Sequence, residues 1–378
     1  MKIIVLGGGL VGGPMALDLA KDGDINVTVA DFSGAVLDRF KNSRDIQAVR
    51  QDLSDKNELT RLIAGFDMVV SAVPGFMGYN TLKTIIEAQK NVVDIAFFPE
   101  DALTLDNLAR EKGVTAVVDC GVAPGMSNML TGYGDSLLDR TESAVIYVGG
   151  LPEKRIQPWE YKAVFSPVDV IEEYIRPAFY VKGGKVIEKP ALSEPELIDF
   201  PEIGTLEVFN TDGLRSLIKT LDIPNMKEKT MRYPGHIDKI IFLRENGFFD
   251  EKPVVVNGRE IRPLDVTARL LFPQWEVKPG DADITIMQVK VAGWKDGKAT
   301  TYTWDLFDRY DPVSNVHSMA RTTGYTATVV LRLLKAGLFN RKGIIPPEYI
   351  GKDAACVTFV LDGLKERQVY YKETMEQT

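Results

Sequence analysis

The chain has 378 residues, of which 45% are apolar and 26% charged, and its 45 Lys and Arg against 53 Asp and Glu leave a net charge of −8. At roughly 100–200 residues per domain this describes two or three globular domains with a large core, not a disordered chain. An acidic balance without a basic run argues against nucleic acid or an anionic membrane as partner, and two Cys without a CxxC pair and two His exclude zinc knuckles, dithiol redox motifs, disulfide frameworks and multi-His metal centres.

The opening stretch, MKIIVLGGGLVGGPMALDLA, imitates a signal peptide only in part, because Gly and Pro interrupt the apolar run that such a signal needs. No run reaches the roughly 18 apolar residues of a membrane span. The expectation is a soluble cytoplasmic protein, with both Cys unpaired in a reducing compartment.

Strand and helix patterns alternate strictly over roughly the first 125 residues. Lys2–Leu6 reads as a strand and Val11–Lys21 as a helix. Asn26–Ala30 is a second strand, followed by a helix from a Ser33 cap through Lys41. Ile46–Arg50 is a third strand, and a helix starts at Ser54 or Asp55 and ends near Gly65. Met68–Val73 is a strand stopped by Pro74-Gly75, Thr81–Gln89 a helix and Val92–Ile95 a strand. Pro99–Glu111 is a helix and Thr115–Asp119 a strand. Continuous rather than alternating hydrophobicity in these strands predicts a parallel sheet covered by helices on both faces.

From Gly121 the texture changes to a Gly/Pro loop, hairpins and alternation. Trp159-Glu160-Tyr161-Lys162 reads as strand, so that Tyr161 and Lys162 point to opposite faces. Phe179–Lys189 is a hairpin around Gly183-Gly184, and Asp283–Ala292 turns at Asp296-Gly297 and resumes through Trp304. Short helices are expected at Gly213–Leu221, His236–Asn246 and Pro263–Leu271. Ser318–Ala336 is a long helix in a C-terminal part expected to pack back on the first domain.

Gly7-Gly8-Gly9-Leu10-Val11-Gly12 fits GxGxxG, between a strand and a helix. Gly7 permits a tight turn, Gly9 lets a pyrophosphate approach the backbone, and Gly12 lets helix and strand pack closely. The helix N-terminus, with Leu10 and Val11, faces the anion. Asp31 ends the next strand, where it can accept hydrogen bonds from the adenosine ribose and would repel a 2′-phosphate. That favours NAD over NADP as cofactor. Asp52 could either reach the adenine or cap a helix. Ala72 and Pro74 sit at another strand end, where small residues let a cofactor cross the sheet edge or simply make a turn.

Asp94, inside the apolar run VVDIAFFP, needs a partner if buried. It is a candidate for binding a substrate amine or taking its proton, or else a cap. Cys120 is a polar contact near the cofactor or a small buried hydrophobe. Tyr161 is a candidate substrate contact. Arg176, Arg215 and Arg232 are candidate carboxylate clamps, each also readable as an ordinary ion pair. His236, after Pro234-Gly235 at a helix start, is the better of the two imidazoles for acid–base work; His317 reads as structural.

These motifs together resemble the saccharopine dehydrogenase family, in its short lysine 6-dehydrogenase-like branch. The matching segments run along nearly the whole chain: LGGGLVG, AVPGFMGYNT, VDIAFFPED, CGVAPGMSN, YVGGLP, YKAVFSPVDVIEEYIRPA, TDGLRS, RYPGHIDKI with LRENGFF, and SMARTTGYTA. The blocks beyond GxGxxG are the specific ones. The resemblance implies a Rossmann domain completed by C-terminal helices, residues 1–122 with about 317–378. It also implies an inserted α+β domain with a mixed or antiparallel sheet, residues 123–316, for substrate and dimer contacts. It carries over Gly7, Gly9, Gly12 and Asp31 to a dinucleotide, and Arg215 and His236 as members of matching blocks.

The activity it implies is NAD-dependent oxidation of the ε-amine of L-lysine to the semialdehyde, which cyclises to piperideine-6-carboxylate, with ammonia released. Saccharopine or carboxynorspermidine-type chemistry is the alternative within the family, and an NAD-sensing regulatory protein the alternative outside enzymes. The expected partners are an amino-acid substrate and a second copy in a homodimer or higher homo-oligomer, with no resident metal.

Overall fold

A computed structural model describes residues 1–278 and 280–378. The chain divides into two compact units, Met1–Asp139 with Met319–Tyr371, and Arg140–Ser318 with Lys372–Thr378.

The first unit is built on a seven-stranded sheet. Its strands are β1 (Lys2–Leu6), β2 (Asn26–Asp31), β3 (Ile46–Arg50), β4 (Met68–Ser71), β5 (Asn91–Asp94), β6 (Thr115–Val117) and the late strand Gly343–Ile345. Their order is Gly343–Ile345, β6, β5, β4, β1, β2, β3, and every pairing is parallel. Ile3 to Leu6, Val69, Val70, Val92 and Val93 are fully buried, as helices on both faces of a parallel sheet require. The strand order reverses beside β1, and the crevice at the carboxyl ends of β1 and β4 is where such sheets bind ligands.

This unit is larger than the sequence suggests. The helix Met126–Leu137, unread in the sequence, belongs to it, so the boundary falls at Asp139 rather than near residue 122. At the other end, strand Tyr371–Gln377 joins the second unit's sheet through Lys298–Arg309, so the last residues leave the first unit. The C-terminal helices are tied to the first helix, Gly12–Leu19, by Asp18. Its carboxylate, 2% exposed, accepts hydrogen bonds from Thr328 Oγ1 at 2.6 Å, Arg332 Nη1 at 2.7 Å and Arg367 Nε at 2.9 Å. A buried carboxylate is tolerable only with such pairing. Burial raises its pKa, and the two guanidiniums more than reverse that, leaving it below the ordinary range.

The second unit has a nine-stranded mixed sheet. Its strands include β7 (Arg140–Pro152), β8 (Ala178–Lys182), β9 (Lys185–Lys189), β10 (Glu196–Phe200), β11 (Gly204–Asn210) and β12 (Met226–Arg232). The order is β10, β11, β12, β7, Asp283–Lys295, Lys298–Arg309, Tyr371–Gln377, with β8 and β9 attached beside β12. The pair β12 and β7 is parallel, while the long hairpin and the β8–β9 hairpin are antiparallel as their turns predict. Helices Pro167–Ile175, His236–Glu245 and Pro263–Trp275 share a core with Phe209 through Tyr174, Ile237, Ile240, Leu271 and Trp275.

Two local expectations fail for backbone reasons. Tyr161 and Lys162 lie on a loop, not a strand: Glu160 takes φ 49° and only Ala163 forms a bridge, with Glu276. The helix expected at Gly213–Leu221 is confined to Leu217–Thr220. Arg215 stands in the left-handed region at φ 51°, and Gly213 lies against the Glu228 carboxyl, so neither can enter the helix.

Candidate active site

The glycine turn after β1 is shaped by backbone contacts. Gly7 has φ 93°, and a Cβ there would stand 2.6 Å from the Ala72 carbonyl oxygen. A Cβ on Gly12 would stand 2.0 Å from the Gly7 carbonyl oxygen. Both glycines are therefore demanded by the fold. Gly9 is different: a Cβ there meets nothing within 4 Å. The chain itself would accept a side chain at Gly9, and the open space there leaves room for a group that approaches from outside. A pyrophosphate at the N-terminus of helix Gly12–Leu19 has that shape and charge.

Asp31 is buried at the end of β2. Its Oδ2 accepts the Gly8 N–H at 2.9 Å and its Oδ1 the Ser33 N–H at 2.8 Å. Each oxygen keeps a second acceptor site, so the carboxylate can brace the glycine turn and still receive ribose hydroxyls. Leu10 is exposed in the turn, and Val11 precedes the helix. Ala72 donates its N–H to Leu6 O at 2.9 Å and packs on the turn; Pro74 caps helix Gly75–Glu87. These residues form one cluster. Asp52 stands apart in an exposed turn, where its Oδ1 accepts the Ser54 N–H at 2.9 Å and the Ser54 hydroxyl at 2.7 Å. The cap of the following helix is Asp55. The residues therefore fit a dinucleotide.

Asp94 closes β5 with no solvent exposure. Its Oδ1 accepts the Ala96 N–H at 2.9 Å, while Oδ2 is buried without a hydrogen-bond partner. Burial, only partly offset by that N–H and the nearby Ser71 hydroxyl, lifts its pKa to about 7. A carboxyl group poised between its two protonation states is suited to moving a proton. Cys120 donates its backbone N–H to Asp94 O at 2.9 Å. Burial, with Asp94 and Asp119 beside it, pushes the Cys120 thiol far up, so it is a neutral neighbour of Asp94 rather than a nucleophile.

In the second unit the structure gathers Tyr161, Arg232 and His236, which are distant in sequence. The Arg232 guanidinium lies 4.8 Å from the Tyr161 ring centre, and the Tyr161 and His236 rings are 5.0 Å apart. Arg232, 3% exposed, donates from Nε to Tyr174 Oη, from Nη1 to Met231 O and from Nη2 to Glu173 Oε2, each at 3.0 Å. Every nitrogen of this guanidinium is thus engaged within the chain, which weighs against Arg232 as a substrate clamp.

His236 Nδ1 donates to Trp159 O at 2.9 Å, which leaves Nε2 to accept from the Tyr174 hydroxyl at 3.0 Å. Burial and the Arg232 charge push the imidazole down to about 3. It is a neutral structural group, not an acid–base catalyst near neutral pH. The Tyr161 hydroxyl is buried without a hydrogen-bond partner. Tyr161 also lines a cavity of about 110 Å³ with Gln157, Trp159, Lys162 and Gln274.

Arg215 lies 3.7 Å from Asp212, with its side chain 8% exposed. Arg176 pairs with Glu172 at 3.0 Å on its own helix, and His317 Nε2 lies 3.1 Å from Asp281 O.

Glu173, Tyr174, Thr211, Glu228 and Thr230 were not singled out in the sequence. The available signal was the period-two run Glu228, Thr230, Arg232 in MKEKTMR, which puts three polar side chains on one strand face. No group of His, Cys, Asp and Glu suited to a metal occurs among the described residues, and no helix among them is long and apolar enough to cross a membrane.

The family model described as the saccharopine dehydrogenase NADP binding domain matches residues 3–117, and the saccharopine dehydrogenase C-terminal domain matches residues 121–369. Mouse alpha-aminoadipic semialdehyde synthase, mitochondrial, is 29% identical over 193 residues, but that match spans 49% of this chain and only 21% of the mouse protein. Saccharopine dehydrogenase [NADP(+), L-glutamate-forming] of Saccharomyces cerevisiae is 23% identical over 92% of this chain and 93% of its own. Carboxynorspermidine synthase of Vibrio cholerae is 23% identical over 93% of this chain and 94% of its own. Among solved structures, the yeast saccharopine dehydrogenase (L-Glu forming) superposes with a TM-score of 0.80 at 21% identity, covering 99% of both chains. The homospermidine synthase of Legionella pneumophila in complex with NAD superposes with a TM-score of 0.65 at 13% identity, covering 99% of this chain and 91% of its own.

Proposed function

The chain belongs to the saccharopine dehydrogenase family of oxidoreductases, and from that premise we propose that it oxidises an amino-acid amine at a carbon–nitrogen bond, with NAD as acceptor and the ε-amine of L-lysine as substrate. The observation that carries this reading is Asp94. It is a fully buried carboxyl at the carboxyl end of the parallel sheet, with one oxygen unpartnered and its pKa raised to about 7.

The dinucleotide, when bound, supplies the hydride acceptor. An ammonium cannot release hydride, and a lysine amine has an ordinary pKa of about 10.4. The site must therefore favour the neutral amine. Asp94 Oδ2 would take the amine proton, and the apolar surroundings of Asp94 would disfavour the ammonium in the same direction. Loss of hydride from the carbon leaves an iminium on the substrate, which Asp94 would stabilise once it has passed the amine proton on to water and is ionised again. Water adds to that iminium, and collapse of the adduct gives aldehyde and ammonia.

Asp31 supports NAD over NADP, because a 2′-phosphate beside its carboxylate would be repelled. In the second unit the Arg232 donors are engaged internally, which weighs against Arg232 as the holder of a substrate carboxylate. The working form in this proposal is a cytoplasmic homodimer or higher homo-oligomer.

A second reading is a secondary amine of the saccharopine or carboxynorspermidine type. It is favoured by full-length relatives bearing those names. Purified protein with NAD or NADP, followed for reduced nicotinamide over lysine, saccharopine, ornithine and carboxynorspermidine, separates the readings. Lysine-dependent reduction with ammonia release is expected. Glutamate released from saccharopine, with lysine inert, would overturn the lysine assignment. Tight dinucleotide binding without turnover of any amine would overturn the enzymatic reading itself.

A further inference from the structure

Four oxygen atoms form a chain through the second unit. Glu228 Oε2 lies 2.7 Å from Thr211 Oγ1, Thr211 Oγ1 lies 2.8 Å from Thr230 Oγ1, and Thr230 Oγ1 lies 2.6 Å from Glu173 Oε1. Glu228, Thr211 and Thr230 are buried. Three such contacts need three hydrogens, and two threonine hydroxyls hold only two. With both glutamates ionised, the two hydroxyl hydrogens leave one of the three contacts empty, and if each hydroxyl donates to its own carboxylate it is the middle one. The 2.8 Å approach of the two hydroxyl oxygens would then have no hydrogen in it.

We propose that Glu228 is a neutral carboxylic acid in the folded protein, a positioning residue whose proton completes the directed chain Glu228 to Thr211 to Thr230 to Glu173 and so holds Glu173 against Arg232.

The third hydrogen belongs on Glu228 rather than on Glu173. Glu173 Oε2 accepts from the Arg232 guanidinium at 3.0 Å, which stabilises its negative charge. Glu228 has a threonine hydroxyl as its hydrogen-bond partner. The ionisable groups facing it are Glu173 from helix Pro167–Ile175, Asp212 from the loop after β11, and Arg232 from its own strand. Burial raises the Glu228 pKa to about 8; Thr211 and Arg232 work against that, while Glu173 and Asp212 add to it. A Cβ on Gly213 would stand 2.2 Å from the Glu228 carboxyl carbon, so the TDGLRS loop lies directly on the acid.

From Glu173 the chain continues. Arg232 Nε donates to the Tyr174 hydroxyl, Tyr174 donates to His236 Nε2, and His236 Nδ1 donates to Trp159 O. One buried proton therefore sets the direction of the hydrogen bonds from Glu228 to Glu173, where they meet the network that the Arg232 donors and the Trp159 carbonyl direct. Its loss would place a third carboxylate beside Glu173 and Asp212 and break the contact between Thr211 and Thr230. This inference goes beyond the oxidoreductase reading and does not depend on it.

The test uses the full chain with 13C-labelled glutamate carboxyl groups, titrated by NMR, in wild type and Glu228→Gln. One carboxyl resonance is expected to stay in the protonated position past about pH 7 and to be missing in the variant. If every glutamate carboxyl of the wild type is ionised by about pH 6, the proposal is wrong, whatever the variant does.

Stability gives a second readout. The folded chain keeps a proton that the unfolded chain releases near its ordinary 4.5, so wild-type stability falls as pH rises from there through about 8. Glu228→Gln, which puts an amide N–H where the acid's O–H stood, is expected to flatten that slope. It should also melt near wild type at about pH 6, whereas Glu228→Ala melts well below it. An unchanged slope in Glu228→Gln would overturn the proposal.

Discussion

His236 Nε2 lies 3.0 Å from the Tyr174 hydroxyl, and with Nδ1 committed to Trp159 O the imidazole has no site left for a substrate proton. His236→Ala is expected to destabilise the second unit by about 3 kcal/mol, from two lost hydrogen bonds and a cavity. The sign with pH is definite. The folded pKa is pushed down to about 3 from 6.5, so this stabilisation is complete above 6.5 and is lost as pH falls toward 3. Thermal unfolding of wild type and His236→Gln across that window checks it. A limb near 6.5 in the activity profile that vanished in His236→Gln would contradict a neutral structural role.

Gly9 and Gly12 should respond differently to the same change. Gly12→Ala forces a Cβ to 2.0 Å from the Gly7 carbonyl and is expected to yield little folded protein. Gly9→Ala meets open space, so it should fold with an unaltered melting temperature and bind dinucleotide at least about tenfold more weakly. Circular dichroism and a fluorescence titration with reduced dinucleotide distinguish the two. Unweakened binding by Gly9→Ala would remove the pyrophosphate from that position.

Asp31→Ala removes the acceptor of the Gly8 and Ser33 N–H groups as well as the ribose contact. NAD affinity is expected to fall about tenfold or more, and the preference over NADP to narrow. Titrations with both dinucleotides measure the ratio. A preference that survives the substitution intact assigns the discrimination elsewhere.

Asp94→Asn keeps the shape of the side chain and removes its proton chemistry. Turnover is expected to fall by about 100-fold or more while the fold survives. Because the raised pKa is about 7, wild-type turnover should climb with pH through that region, and the climb should be absent from the residual activity of the variant. Steady-state rates over a pH series report both. Equal turnover in the variant rules out Asp94 as the base.

Asp18→Ala leaves the Arg332 and Arg367 guanidiniums without their shared carboxylate at the buried junction of the first and C-terminal helices. The expected cost is about 3–5 kcal/mol, read as a large drop in the denaturation midpoint of the first unit. Asp18→Asn should recover part of it by keeping an acceptor for Thr328.

The dinucleotide site was legible in the sequence because all its parts are local. A strand, a glycine turn, a helix and an acid nineteen positions later obey spacing rules that one βαβ unit imposes by itself. The parallel sheet was legible for the same reason, since strands buried on both faces read as continuous apolar runs, as Ile3–Leu6 does.

What only the tertiary structure decided concerns groups whose meaning depends on distant neighbours. His236 reads alone as a titratable imidazole; burial against Tyr174 and Arg232 makes it neutral. Arg232 reads as a clamp; Glu173, Tyr174 and the Met231 carbonyl use its donors. Glu228 has no mark of its own in the sequence; a closed count of hydrogens with Thr211, Thr230 and Glu173 makes it the proposed holder of a proton. Local spacing is set by covalent geometry and is written in the chain, whereas protonation state is set by desolvation and by charges that only folding brings within reach.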